Sequence, residues 1–327
     1  MYDKFYRFTG VPFLLTPDSR FFFGSSGHSR AMAHLVYGLA QEEGFIVITG
    51  EVGAGKTTLV EQLCSQLDPH TYVIARIVTT RVSGDDLLRL VMANFGLGET
   101  QDVDKATLLR RFEHMVADQR RVGRCLLVVD EVQSLSVAAL EELRMLSNIT
   151  VHGRASVQTI LLGQPQFRPM LASPDLEQLR QRVLASYHLG PLSEGETRAY
   201  IEHRLKTVGW ADDPHWDDAA FIQVFRESGG IPRRINTLCS RVLLYSALDE
   251  AHTVTRPIVE QTANELNQDL GAGLTAVPPS PPLQTSAQPG QDVLLRRVEA
   301  LEQTTARQQR VFRRLLDLLS SGAETSR

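Results

Sequence analysis

Eight consecutive residues have the types and order that hold phosphate. Gly50-Glu51-Val52-Gly53-Ala54-Gly55-Lys56-Thr57 follows the pattern G-x-x-x-x-G-K-[ST]. Glycines let backbone N–H groups turn inward around phosphate oxygens, and the start of the following helix adds positive potential. Lys56 reaches the β- and γ-phosphates, the Thr57 hydroxyl ligates Mg²⁺, and Thr58 continues the same helix start. A second element must help hold the metal. The stretch CLLVVDE, residues 125–131, is an apolar run that ends in two carboxylates. Asp130 at its tip suits Mg²⁺, usually through water, and Glu131 suits polarising an attacking water. An acidic strand end is also an ordinary helix N-cap. The phosphate loop is what singles this one out. The N/T-K-x-D pattern used to read guanine occurs nowhere in the sequence, so the expected ligands are ATP and Mg²⁺.

Such groups need a frame. Short apolar runs, FIVIT (45–49), YVIARIV (72–78), CLLVVD (125–130), VQTILL (157–162) and ASYHLG (185–190), read as strands. Amphipathic segments lie between them, the alternation of a parallel sheet covered by helices. The phosphate loop then falls between a strand and the helix TTLVEQLCSQL, where its chemistry requires it. Residues 1–44 form an aromatic-rich linker segment that turns helical, with Ala31, Leu35 and Leu39 on one face. After about residue 191 the strand patterns stop. Ser193 followed by Glu196 is a capping-box signal, and helical patterns at 217–228, 232–248 and 256–268 complete a small helical domain over 192–270.

Residues 271–291 carry five prolines and no charge, the composition of a linker. Beyond it Leu294, Val298, Leu301, Thr305, Gln308, Phe312, Leu315 and Leu319 recur at four- and three-residue steps within 292–320. That spacing predicts a coiled-coil helix pairing with itself or with a partner, the alternative being a lone helix docked back on the body.

Composition narrows the classes further. In 327 residues, 43% are hydrophobic and 22% charged, enough to bury a core. No uninterrupted apolar run approaches the ~20 residues that span a bilayer. Three scattered cysteines, Cys64, Cys125 and Cys239, lack metal-ligand spacing and fit a reducing cytosol. A net charge of −4 argues against a protein built mainly to coat a polyanion, though a local basic patch stays open.

Three further features resemble AAA+ ATPases. Gln164, after the run VQTILLG, is similar to a sensor-1 residue. Arg180 and Arg182 in LRQRVLASYHL stand where an arginine finger reaches a neighbouring subunit. Arg233 in GGIPRRINTLCSR resembles a sensor-2 arginine. Each alone would read as a solvated surface side chain; their order after the phosphate loop and the acidic pair is what sets them apart. The opening FYRFTGVPFLLTPDSRFFF, then His28, AMAHLVYGLAQ, GFIVITGEVGAGKTTL, DEVQSL, EELRMLSN, LLGQPQF, LRQRV and GGIPRRIN resemble the ExeA/GspA family of secretion-associated ATPases over roughly residues 1–268. Within that family they are most similar to the ATPase of exosortase (PEP-CTERM) and exopolysaccharide loci.

The resemblance implies an α/β fold: a P-loop AAA+ parallel sheet sandwiched by helices over 45–191, a helical lid over 192–270 and the C-terminal heptad helix. It implies ATP hydrolysis in a ring or partial ring, with Gln164 and Arg233 sensing the γ-phosphate and Arg182, or Arg180, acting in trans. It also implies a cytoplasmic protein, peripheral at the inner membrane, whose 292–320 segment meets a membrane-complex protein. Two departures stand out. Ser19 replaces the second proline of the family's T-P-D-P-R opening. A linker and heptads stand where the family continues into a membrane helix and a peptidoglycan-binding domain, which favours the exosortase-locus branch. A rival resemblance is to transposition regulators of the TniB/TnsC kind, which bind DNA; the acidic balance weighs against it.

Overall fold

A computed structural model describes residues 2–271, apart from 17, 79–82, 99–102, 120–122 and 152–153. The expected linker 271–291, save its first residue, and the heptads of 292–320 lie outside the described residues.

Five strands form one parallel sheet: β1 (Phe45–Gly50), β2 (Tyr72–Val78), β3 (Arg124–Asp130), β4 (Val157–Gly163) and β5 (Val183–Leu189). Their spatial order is β2-β3-β4-β1-β5. The expected strands match these with shifts of one or two residues at their ends. Apolar runs without polar alternation are what a strand covered on both faces requires. All six residues of β1 are buried, and successive side chains separate cleanly into two layers. Phe45 and Val47 enter one core with Leu127, Val129 and Leu161. Ile46 and Ile48 enter the opposite one with Leu126, Val128 and Ile160. Period-two geometry thus builds two cores from one set of strands.

Helices cover both faces. On one side lie α1 (Ser26–Ala40) and α2 (Lys56–Gln66); Ala31, Leu35 and Leu39 share the core of Ile46 and Ile48, as their spacing predicts. On the other lie α3 (Gly84–Asn94), α4 (Lys105–Gln119) and α5 (Val137–Asn148).

Four helices follow the sheet: α6 (Glu194–Thr207), α7 (Asp218–Ser228), α8 (Pro232–Leu248) and α9 (Arg256–Gly271). Their core also takes in Tyr2, Tyr6, Phe8, Phe13 and Phe21. Aromatic side chains bury some 150–250 Å² each. The stretch 1–44 therefore joins the two units through packed side chains, aromatic residues on the helical unit and α1 on the sheet.

The expected capping box forms, with Ser193 as N-cap and Glu196 completing it. The Glu196 carboxylate also accepts the backbone N–H of Ser26, 2.8 Å away, and so serves the starts of α6 and α1 together.

One expectation is corrected. Strands do not stop at 191: His215–Trp216 pairs in parallel with Thr253–Val254. Before 191, a short antiparallel pair of Thr150–Val151 with Arg154–Ala155 adds to the expected strands. Two-residue strands are too short to show a period. Among the described residues no helix is long and apolar enough to cross a membrane.

Candidate functional site

The sheet order places β1 between β4 and β5, while the chain leaves β1 for the far edge at β2. Loops after neighbouring strands therefore diverge at the carboxyl ends of the strands, the place where open α/β sheets bind ligands. The phosphate loop leaves β1, and Gln164 leaves the adjacent β4. Asp130 ends β3, one strand further.

Gly53 and Gly55 hold φ at 82° and 97°, backbone that L side chains rarely adopt. Gly55 is the N-cap of α2 and offers no side chain to its first N–H groups, which remain for an anion. Lys56 is only 6% exposed, and its ammonium donates to the carbonyls of Gly50 at 2.8 Å and Glu51 at 2.9 Å. Burial holds its pKa below the ordinary lysine range, against the pull of Glu131, Asp130 and Glu51. Ala54, within the loop, is buried in the core of Ile46 and Ile48. Val52, Gly53, Gly55, Lys56, Thr57 and Thr58 all line one cavity of about 380 Å³. That is within the ~300–1,000 Å³ of small-molecule sites.

The acidic pair meets this loop. Thr57 Oγ1 donates to Asp130 Oδ2 at 2.7 Å, and the other carboxylate oxygen accepts the backbone N–H of Glu131 at 2.8 Å. Glu131 itself sits at φ 55°, ψ 38°, a left-handed conformation that costs a non-glycine residue about 1–3 kcal/mol. This turn carries its side chain to the cavity wall. There Glu131 Oε2 accepts hydrogen bonds from the Gln164 amide at 2.9 Å and from the Gln133 amide. Gln133 Oε1 in turn accepts the backbone N–H of Gln164 at 2.9 Å. Gln133 was not legible from its type alone, although its place two residues after Glu131 is the kind of signal that could have marked it.

Mg²⁺ keeps several waters and takes few protein ligands when phosphate supplies the rest. Thr57 and Asp130 fit that role. Among the described residues no group of three or more His, Cys, Asp or Glu could hold a metal by itself.

The cavity continues between the sheet and the helical unit. Arg233, in the first turn of α8, lines it, and its backbone N–H donates to Gly53 O at 3.2 Å. The N-terminal segment supplies Leu14, Leu15 and Phe21–Phe23, and α6 supplies Tyr200 and Arg204. Arg204 is buried: its Nε donates to Pro12 O at 2.6 Å, its Nη1 donates to the Tyr200 hydroxyl, and its guanidinium lies 4.7 Å from the Phe21 ring centre. The Tyr200 hydroxyl donates to Asn236. Nothing in the amphipathic pattern of α6 distinguishes Arg204 from a solvated arginine.

Arg180 and Arg182 stand apart from this cluster. Arg180 Nη1 donates to Ala172 O, and Arg182 Nη1 lies 3.3 Å from both oxygens of Ser147. They precede β5, whose first residue pairs with Phe45 at the start of β1. The phosphate loop follows the other end of that strand, roughly 20 Å away at ~3.3 Å per residue.

Residues 39–171 match a family model described as an AAA domain. Over 268 residues the chain is 36% identical to the general secretion pathway protein A of Aeromonas hydrophila, covering 82% of this chain and 49% of that protein. The chain thus spans about half the length of the curated relative it matches. Among solved structures, Cdc6p of Pyrobaculum aerophilum is similar with a TM-score of 0.62 and 13% identity, over 80% of this chain and 75% of that one. The ADP form of the Aeropyrum pernix ORC2 protein is similar with a TM-score of 0.56 and 17% identity, over 83% and 74%. These likenesses agree on the expected α/β fold, and the AAA-domain match supports the expected ATP hydrolase.

Proposed function

We propose that this chain is a Mg²⁺-dependent ATP hydrolase that drives or switches assembly of a secretion or surface-polymer system, in the manner of an exosortase- or exopolysaccharide-locus ATPase. The observation that carries the catalytic part is the 2.7 Å hydrogen bond from Thr57 to Asp130, which joins two sequence-distant motifs at one cavity. The pathway part rests on the relationship to general secretion pathway protein A and on the motif resemblance.

In this reading the loop N–H groups and Lys56 bind the phosphates. Thr57 and Asp130 hold Mg²⁺, which supplies charge neutralisation at the transferring phosphoryl group. Glu131 accepts a proton from the attacking water, held in place by Gln164 and Gln133. Gln164 and Arg233 report on the γ-phosphate. Arg182, or Arg180, lies too far from its own loop and serves the site of a second copy, which makes the working form a ring or partial ring. The 292–320 segment recruits a membrane-complex protein and brings the ATPase to the cytoplasmic face of the inner membrane.

ATP hydrolysis by the wild type and by Lys56→Ala tests the enzyme, with and without duplex DNA at low salt, where electrostatic binding is strongest. Turnover in the wild type alone, unchanged by DNA, is expected. Stimulation of tenfold or more by DNA would replace the secretion reading with a transposition-like one. Equal turnover in both proteins would remove the phosphate-loop assignment.

A further inference from the structure

The helix that precedes the sheet sends one side chain to the phosphate loop to which the sequence reading gave no role. His28 lies in the first turn of α1 and is 7% exposed. Its Nδ1 is 2.7 Å from Ser25 Oγ, and that oxygen accepts the backbone N–H of His28 at 3.2 Å. Ser25 is itself buried, so its hydroxyl proton needs an acceptor, and Nδ1 is the one within reach. Donation from Ser25 leaves the imidazole proton on Nε2. Burial holds the ring's pKa below the ordinary histidine range, opposed by Glu196, and the Phe22 ring packs edge-on against it with centroids 5.9 Å apart.

Nε2 points at the loop. A Cβ added to Gly55 would lie 2.8 Å from it, and His28 lines the same cavity as Lys56 and Thr57. Among the described residues Nε2 has no hydrogen-bond acceptor. An oriented N–H on the cavity wall beside a phosphate loop is placed to donate to a ligand oxygen.

We propose that His28 is a nucleotide-binding residue whose Nε2–H donates to a phosphate or ribose oxygen of the nucleotide held at Gly55. The inference rests on the nucleotide reading above and adds to it a neutral donor from outside the phosphate loop and the acidic strand end. Because Ser25 caps α1 and orients the imidazole with the same hydroxyl, the donor's aim is tied to the start of α1. Glu196 ties that start to α6, so the placement of the helical unit and nucleotide affinity are coupled through His28.

ATP binding by wild type, His28→Ala, His28→Gln and Lys56→Ala tests this, with thermal midpoints as a check on folding. A hydrogen bond to a charged acceptor makes roughly a tenfold or greater loss in affinity the expected result for His28→Ala. His28→Gln keeps a donor near the Nε2 position and should stay within about threefold of wild type. Inorganic tripolyphosphate separates the two acceptors: a loss seen with it marks a phosphate oxygen, and a loss confined to ATP marks the ribose. In the wild type, the ¹⁵N shifts of the imidazole should show a protonated Nε2 that moves when ATP is added, a readout that needs no variant to fold. Binding by His28→Ala within twofold of wild type, a glutamine variant as weak as the alanine one, or an Nε2 signal indifferent to ATP would each overturn the proposal. A wild type that binds ATP no better than Lys56→Ala would instead overturn the nucleotide reading on which it stands.

Discussion

Gly53 and Arg233 are packed so closely that a Cβ on the glycine would lie 2.3 Å from the Cβ of the arginine. This joint connects the phosphate loop to the first turn of α8, and the Arg233 N–H to Gly53 O hydrogen bond closes it. Any side chain at position 53 must push the helical unit away from the loop. It must also accept a φ of 82°, at a cost of about 1–3 kcal/mol. Gly53→Ala should therefore lower the thermal midpoint and weaken ATP binding together. A variant that binds ATP as wild type does would mean the joint plays no part in the site.

In the proposed mechanism the two amides on Glu131 Oε2 position the carboxylate and Glu131 takes the proton. Glu131→Gln should bind ATP and stall, with turnover down by about 10²–10⁴, the range of a general base. Gln133→Ala removes only one support, so kcat should fall by about tenfold while KM stays within twofold. Steady-state kinetics on both variants decide it: normal turnover by Glu131→Gln would contradict its role as the base.

Arg182 and Arg180 lie at the end of the sheet away from the loop, so the trans role proposed for them requires a second copy. The specific rate of hydrolysis should rise with protein concentration, and Arg182→Ala should flatten that rise. Strict proportionality between rate and concentration, with Arg182→Ala at the wild-type rate, would eliminate the trans assignment.

Glu196 gives a pH test of the link between α1 and α6. The N–H of Ser193 first, and then that of Ser26, hold its carboxyl at about 2, against 4.5 ordinarily. A depressed carboxylate contributes stability that is complete above the unfolded value and disappears as pH falls through the folded one. The deficit of Glu196→Gln in urea unfolding should accordingly be present at pH 7 and shrink as pH falls from 4.5 towards 2. Equal deficits at pH 7 and pH 2.5 would show that the charge on Glu196 plays no part.

The frame and the heart of the site were legible in the sequence for one physical reason: their information is local. A strand covered on both faces must be an apolar run, so FIVIT, CLLVVD and VQTILL announced themselves. A loop that wraps phosphate needs glycines, lysine and threonine in contiguous order. Gln164 and Arg233 were singled out by their resemblance to AAA+ sensor residues, and each directly follows or begins a recognisable element. Tertiary structure alone decided the rest. His28 precedes the loop by a whole helix and a strand, and its aim depends on how α1 lies on the sheet. Arg204 became a buried wall of the cavity only when the chain at Pro12 folded over α6, and until then it was one arginine among many. Gln133 gained its role from a left-handed turn at Glu131 that no side-chain pattern encodes. Side-chain chemistry along a strand or loop is written residue by residue, whereas a contact between distant segments exists only once packing has brought them together.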